Sequence, residues 1–146
     1  MATAIQRKIK KLESIRDGLH AETGRVLSRY KRQIIALNKN QFTDGYGSDN
    51  KNLFNVHREY KGVYSKGYKK QGLYDFYETG VFIRGLFVSV NKNAFKIDSS
   101  GKGDGDKSIF FSGYTNLFGL NDYSMEQLIK LIIPEIKKYI KEKSRL

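Results

Sequence analysis

One run of residues constrains this chain more than any other. Tyr77-Glu78-Thr79-Gly80 is followed by Val81-Phe82-Ile83-Arg84-Gly85-Leu86-Phe87-Val88-Ser89-Val90, a stretch that alternates in the two-residue period of a strand after a Thr-Gly turn. Phe82, Arg84, Leu86, Val88 and Val90 share one face; Val81, Ile83, Gly85, Phe87 and Ser89 share the other. Both sets are mostly apolar, which predicts a strand covered on both faces near the middle of a sheet. The turn Asn91-Lys92-Asn93 and the alternating Ala94-Phe95-Lys96-Ile97 complete a hairpin. After a glycine-rich tip at 99–106, Ser108-Ile109-Phe110-Phe111 can supply a third strand.

A helix closes the chain. Ser124-Met125-Glu126-Gln127 fits a capping box, with Tyr123 and Leu128 as its hydrophobic staple. Leu128, Ile129, Ile132, Ile133, Ile136 and Ile140 form the expected buried face, and Lys137, Lys138, Lys141 and Lys143 suit the negative end of the helix dipole. Pro134 should kink this helix or remove one of its hydrogen bonds.

The beginning of the chain, from about Ala4 to Leu37, also reads as helix. Ile5, Ile9, Leu12, Ile15 and Leu19 form one apolar stripe; Val26, Leu27, Tyr30, Ile34 and Leu37 form a second. Gly18 and Gly24 lie between them, each about 1 kcal/mol worse than alanine inside a helix, which predicts a break near 18–24 or one long helix with a change of phase. The first stripe is thin and flanked by charge. Such a helix is weakly held by its own domain and suits docking on a neighbouring subunit.

The 146 residues predict a single domain, 1–146, in three parts: a basic helical segment at 1–40, a tyrosine-rich loop or arm at 41–78, and sheet plus helix at 79–146. The expected class is α+β: a long N-terminal helix or helix pair, a small antiparallel sheet of three to four strands, and a C-terminal helix packed on the sheet. Net charge is +12, and residues 1–40 carry +7 of it, with ten basic against three acidic side chains. Phosphate neutralisation is one reading of that excess; a solvated lysine-rich helix face is the other. In the middle, Tyr60, Tyr64, Tyr68, Tyr74 and Tyr77 interleave with Lys61, Lys66, Lys69 and Lys70. These rings could stack on bases, or pack on protein with wet hydroxyls.

Catalytic signals are thin. The chain has no cysteine, hence no disulfide, thiolate metal site or cysteine nucleophile. His20 and His57 have no carboxylate or histidine at metal-ligand spacing. Gly101-Lys102-Gly103-Asp104-Gly105-Asp106-Lys107-Ser108 imitates a phosphate loop, but Asp106 stands where glycine belongs and a strand-like run follows. Asp98, Asp104 and Asp106 lack the bidentate glutamate of a calcium loop. No enzyme site and no cofactor or metal are expected. Arg84, set among apolar residues, needs partners if buried, with Glu78 and Asp75 in reach along the chain; otherwise its head lies in water at the sheet margin. No stretch approaches the roughly 18 apolar residues of a membrane span, and the basic start lacks the apolar core of a secretory signal.

Residues from about 73 to 146 resemble the tail-completion and neck proteins of tailed bacteriophages. The likeness lies in the Thr79-Gly80 start, the apolar strand with Arg84, the hairpin and the closing helix. Tyr77-Glu78-Thr79-Gly80-Val81-Phe82 and Phe118-Gly119-Leu120 are similar to the form found in Bacteroidetes phages and prophages. Gly85 and Tyr114-Thr115 depart from the family pattern and leave subfamily and position in the particle open. The resemblance implies a non-enzymatic head–tail connector, a ring homo-oligomer among neck, tail and portal proteins, present in the virion and in the host cytoplasm during assembly, with packaged DNA as a further contact. The expected interface residues are Lys8, Lys11, Arg29, Arg32, Tyr64, Tyr68, Tyr74 and Arg84, with a basic nucleic-acid-binding module as the alternative function.

Overall fold

The computed structural model describes residues 2–51, 81–101 and 117–145. Its elements in chain order are α1 (Ala4–Arg29), α2 (Lys31–Asp44), a single helical turn α3 (Val81–Arg84), β1 (Leu86–Asn91), β2 (Ala94–Ser99) and α4 (Asp122–Ser144). The class is α+β, with a long first helix, an antiparallel two-stranded sheet and a closing helix. The proposed third strand and the stretch carrying Tyr64, Tyr68 and Tyr74 lie outside the described residues.

α1 begins with a capping box that the sequence reading passed over. Thr3 Oγ1 accepts from the Gln6 amide at 3.1 Å, and Gln6 Oε1 accepts from the Thr3 amide at 2.7 Å. The helix then runs unbroken through both glycines, the second of the two expected outcomes, and ends at Tyr30. Packing explains the glycines. A Cβ on Gly24 would collide with the main-chain carbonyl of Lys92 in the hairpin turn, and one on Gly18 would meet the Tyr139 hydroxyl of α4. They are points of close approach. At Tyr30 the amide is shared between the carbonyls of Val26 and Leu27, at 3.3 and 3.1 Å, and its own carbonyl accepts from Ile34 at 3.0 Å to start α2. The bend turns Ile34, Asn38 and Gln41 inward, all buried at spacings of four and three.

The hairpin register is Leu86 with Ser99, Val88 with Ile97 and Asn91 with Ala94. Lys92 takes a left-handed φ of 56° to close the turn. Two corrections apply to the strand expectation. Residues 81–84 form a helical turn, so β1 starts at Leu86. Among the described residues only one face of β1 is covered, since Leu86 and Val88 are buried while Phe87 and Ser89 are exposed. Alternation of apolar residues fixes parity; it does not determine how many faces receive a neighbour.

α4 also starts earlier than the sequence suggests. Asn121 is its cap, accepting from the Ser124 amide at 2.9 Å, so Ser124 is a buried residue of the first turn. Tyr123 points to solvent and makes no staple. The helix continues through Pro134, whose missing N–H leaves one carbonyl without its helical donor. Its buried face is narrower than expected: Leu128 is buried and Ile132 and Ile136 half-buried, while Ile129, Ile133 and Ile140 are exposed. A helix with seven aliphatic residues in the thirteen from 128 to 140 carries more apolar surface than one flank can cover.

The core joins all these elements. Leu27, Ile34, Phe82, Leu86, Val88, Ile97, Leu117, Leu120 and Leu128 form one buried cluster, with Ile132 packed against it. The rings of Phe82 and Phe118 meet tilted, with centroids 5.9 Å apart. The pattern predicts a core of Phe82 or Phe87 with Leu86, Ile97, Phe110, Leu128, Ile132 and Ile136; Phe82 takes the aromatic place, Ile136 is half-buried outside the cluster, and Phe110 lies beyond the described residues.

Candidate functional site

The polar feature with the most long-range hydrogen bonds among the described residues is a seam of amides where α2 meets the start of α4. Asn38 Nδ2 donates to the carbonyl of Gly119 at 3.0 Å and to that of Leu117 at 3.5 Å. Gln41 Nε2 donates to the same Gly119 oxygen at 2.9 Å, and Gln41 Oε1 accepts from the Asn121 amide at 2.9 Å. Asn50 extends the seam, accepting from the Asp122 amide and donating to Asp122 Oδ2, both at 2.9 Å. Gly119 holds φ at 123°, a conformation that side chains disfavour. These amides replace backbone partners for a non-helical entry into α4. They neither take up nor release protons, so the seam is a clamp. Among the described residues, the one buried side-chain oxygen with no partner is Asn38 Oδ1. The sequence signal was present as Asn38 and Gln41 on the inward row of α2, and the sequence reading missed it.

Beside the seam lies an open cleft of about 660 Å³, lined among others by Leu37, Gln41, Tyr46, Tyr123, Lys130 and Leu131. Among the described residues of its lining, Asp44 and Lys130 are the only charged ones and none is a histidine. Among the described residues, no three His, Cys, Asp or Glu side chains group in a way that could hold a metal ion.

Among the described residues, the expected interface residues do not converge. Lys8 is exposed and Lys11 half-buried in the first turns of α1. Arg29 lies 21 residues beyond Lys8, about 30 Å along the helix. It is engaged within the chain, its Nη2 donating to Glu135 Oε2 of α4 at 3.0 Å, while the Tyr30 hydroxyl donates to Glu135 Oε1 at 3.4 Å. Arg32 is exposed on α2. Arg84 is exposed at the end of α3, so its guanidinium is not buried; Asp75 and Glu78 fall outside the described residues.

Exposed apolar surface is the feature that stands out. Residues 2–14 contain no buried side chain. Within them Ile5, Ile9 and Leu12 are 70, 49 and 63 % exposed. On α4, Ile129, Ile133 and Ile140 are each about 40 % exposed. No described helix is long and apolar enough to cross a membrane. Comparison with family models, with curated proteins and with solved structures finds no match.

Proposed function

We propose that this chain is a non-enzymatic structural protein of a phage virion, a tail-completion or neck ring subunit at the head–tail junction. The observation that carries the reading is the exposed Ile5, Ile9 and Leu12 on a capped, well-formed helix. A helix that presents aliphatic side chains to water has a surface that association would bury. The resemblance of residues 73–146 to neck proteins supplies the setting, by analogy of fold pattern. Neighbouring neck, tail or portal proteins and further copies of the chain are its partners, and no cofactor or membrane takes part.

The basic excess of residues 1–40 supports the alternative, a nucleic-acid-binding module. The two readings differ in what the same helix buries. Phosphate contacts use Lys8, Lys11 and Arg32 and leave Ile5, Ile9 and Leu12 wet; a protein contact covers them. Mass spectrometry of purified particles made by the encoding genome tests the first reading. Peptides of this chain at a fixed ratio to the portal protein are expected. Their absence from intact particles would overturn it.

A further inference from the structure

The exposed stripe on α1 continues a contact the molecule already makes. Ile5, Leu12, Leu19 and Val26 recur at seven-residue intervals and so lie along one side of the helix. Burial rises along that row: Val26 is buried, Leu19 half-buried, Leu12 and Ile5 exposed. The buried end belongs to the side of α1 that meets α4, with Arg29 and Tyr30 reaching Glu135 and Gly18 against Tyr139. The row therefore runs past the part that the described residues of its own chain cover. Meanwhile α4 keeps a second apolar row, Ile129, Ile133, Ile136 and Ile140, at spacings of four, three and four. Ile5, Ile9 and Leu12 have spacings of four and three. These are the steps by which side chains of one helix seat between those of another.

We infer that the first three turns of α1 in one subunit lie on the isoleucine row of α4 in the next copy of this chain. The occupant is a second copy because the exposed row extends an interface that α1 already forms with α4. Arg7 projects from the side of α1 opposite Ile5 and Ile9, while Lys8, three residues after Ile5 and four before Leu12, flanks the row at the edge of the contact. The two patches are different surfaces, which makes the contact heterologous: each subunit gives one arm and receives another. Repeated by a rotation, such a contact closes into a ring. The inference rests on the ring-subunit reading above and specifies how the ring is joined.

The test uses the full chain in sedimentation velocity at several concentrations. Ile9→Asp disables the arm and Ile133→Asp disables the row, and circular dichroism checks that each variant keeps its helix content. The unaltered chain should sediment as an assembly larger than a dimer, and each variant alone as a monomer. An equal mixture of the two variants should form a heterodimer and nothing larger, because one intact arm and one intact row remain. If either variant loses its helices, Leu12→Gln and Ile140→Gln take their places. A monomeric unaltered chain, variants that assemble like it, or a mixture that stays monomeric would overturn the inference. Particle composition reads the neck assignment separately. A chain found in particles yet monomeric in solution overturns only the arm contact. One that assembles through the arm but is missing from particles overturns only the neck assignment.

Discussion

Gly18 and Gly24 look alike in the sequence and have opposite roles in energy. Alanine at position 24 would drive its Cβ into the Lys92 carbonyl, and a backbone atom in a hairpin turn cannot move aside cheaply. Gly24→Ala should cost about 1–3 kcal/mol, read as a lowered midpoint of thermal unfolding. At position 18 the obstacle is the Tyr139 hydroxyl, the far end of a side chain that can swing away. Gly18→Ala should be neutral or gain up to about 1 kcal/mol of helix propensity. Equal effects at the two sites would show that α1 does not pack as described. Asn38 illustrates the other kind of residue effect. Its buried amide holds two carbonyls ahead of α4, and Gln41 also holds that of Gly119, so Asn38→Ala should cost about 1–3 kcal/mol through the lost bonds and the Leu117 carbonyl deprived of this donor. A variant with unchanged unfolding would mean the seam does not clamp this junction.

The elements were readable where local chemistry decides them. The turn at 91–93, the parity of Leu86, Val88 and Ile97, and the helical character of 4–29 and 122–144 all follow from residue pattern. The start of α4 was not, because two caps compete in the sequence. Ser124 and Gln127 offer a box, whereas Asn121 wins through Gln41, a partner 80 residues earlier that fixes its amide. Likewise the glycines of α1 leave a break and a continuous helix both open until Lys92 and Tyr139 are seen beside them. Of the candidate site, the basic residues and the thin apolar stripe of α1 were legible, but Ile129, Ile133 and Ile140 of α4 read as buried and are exposed. Periodicity marks which residues could be buried, and only the neighbours determine which are. Burial separates the core residues in a checkable way. Leu86→Ala and Leu128→Ala should each cost about 2–5 kcal/mol, and half-buried Ile132→Ala should cost less. Thermal unfolding unchanged by the two leucine substitutions would displace the core. The Arg29–Glu135 pair joins α1 to α4 but is solvent-exposed, so Glu135→Gln should change stability by at most about 1 kcal/mol.

At the scale of the whole molecule, the two partner classes respond differently to salt. If the basic surface of 1–40 bound nucleic acid, log affinity would fall steeply and linearly with log salt. An assembly held by Ile5, Ile9 and Leu12 against aliphatic side chains should weaken little between 50 and 500 mM salt, values that span about 14 to 4 Å of Debye length. A steep linear loss of self-association would favour phosphate or charge contacts. The structure also places the boundary of a clean truncation. Residues 2–14 contribute no buried side chain, whereas Ile15 belongs to the interior, so deletion should stop at Ser14. The central claim is that these first turns of α1 exist for assembly rather than for the fold. It is tested most directly by supplying the full chain and the chain lacking residues 2–14 in separate complementation cultures and quantifying each in purified particles. With the truncated chain still cooperatively folded, its incorporation should fall below a tenth of the full chain's, with loss of infectious tailed particles. Equal incorporation and equal infectivity would contradict the account.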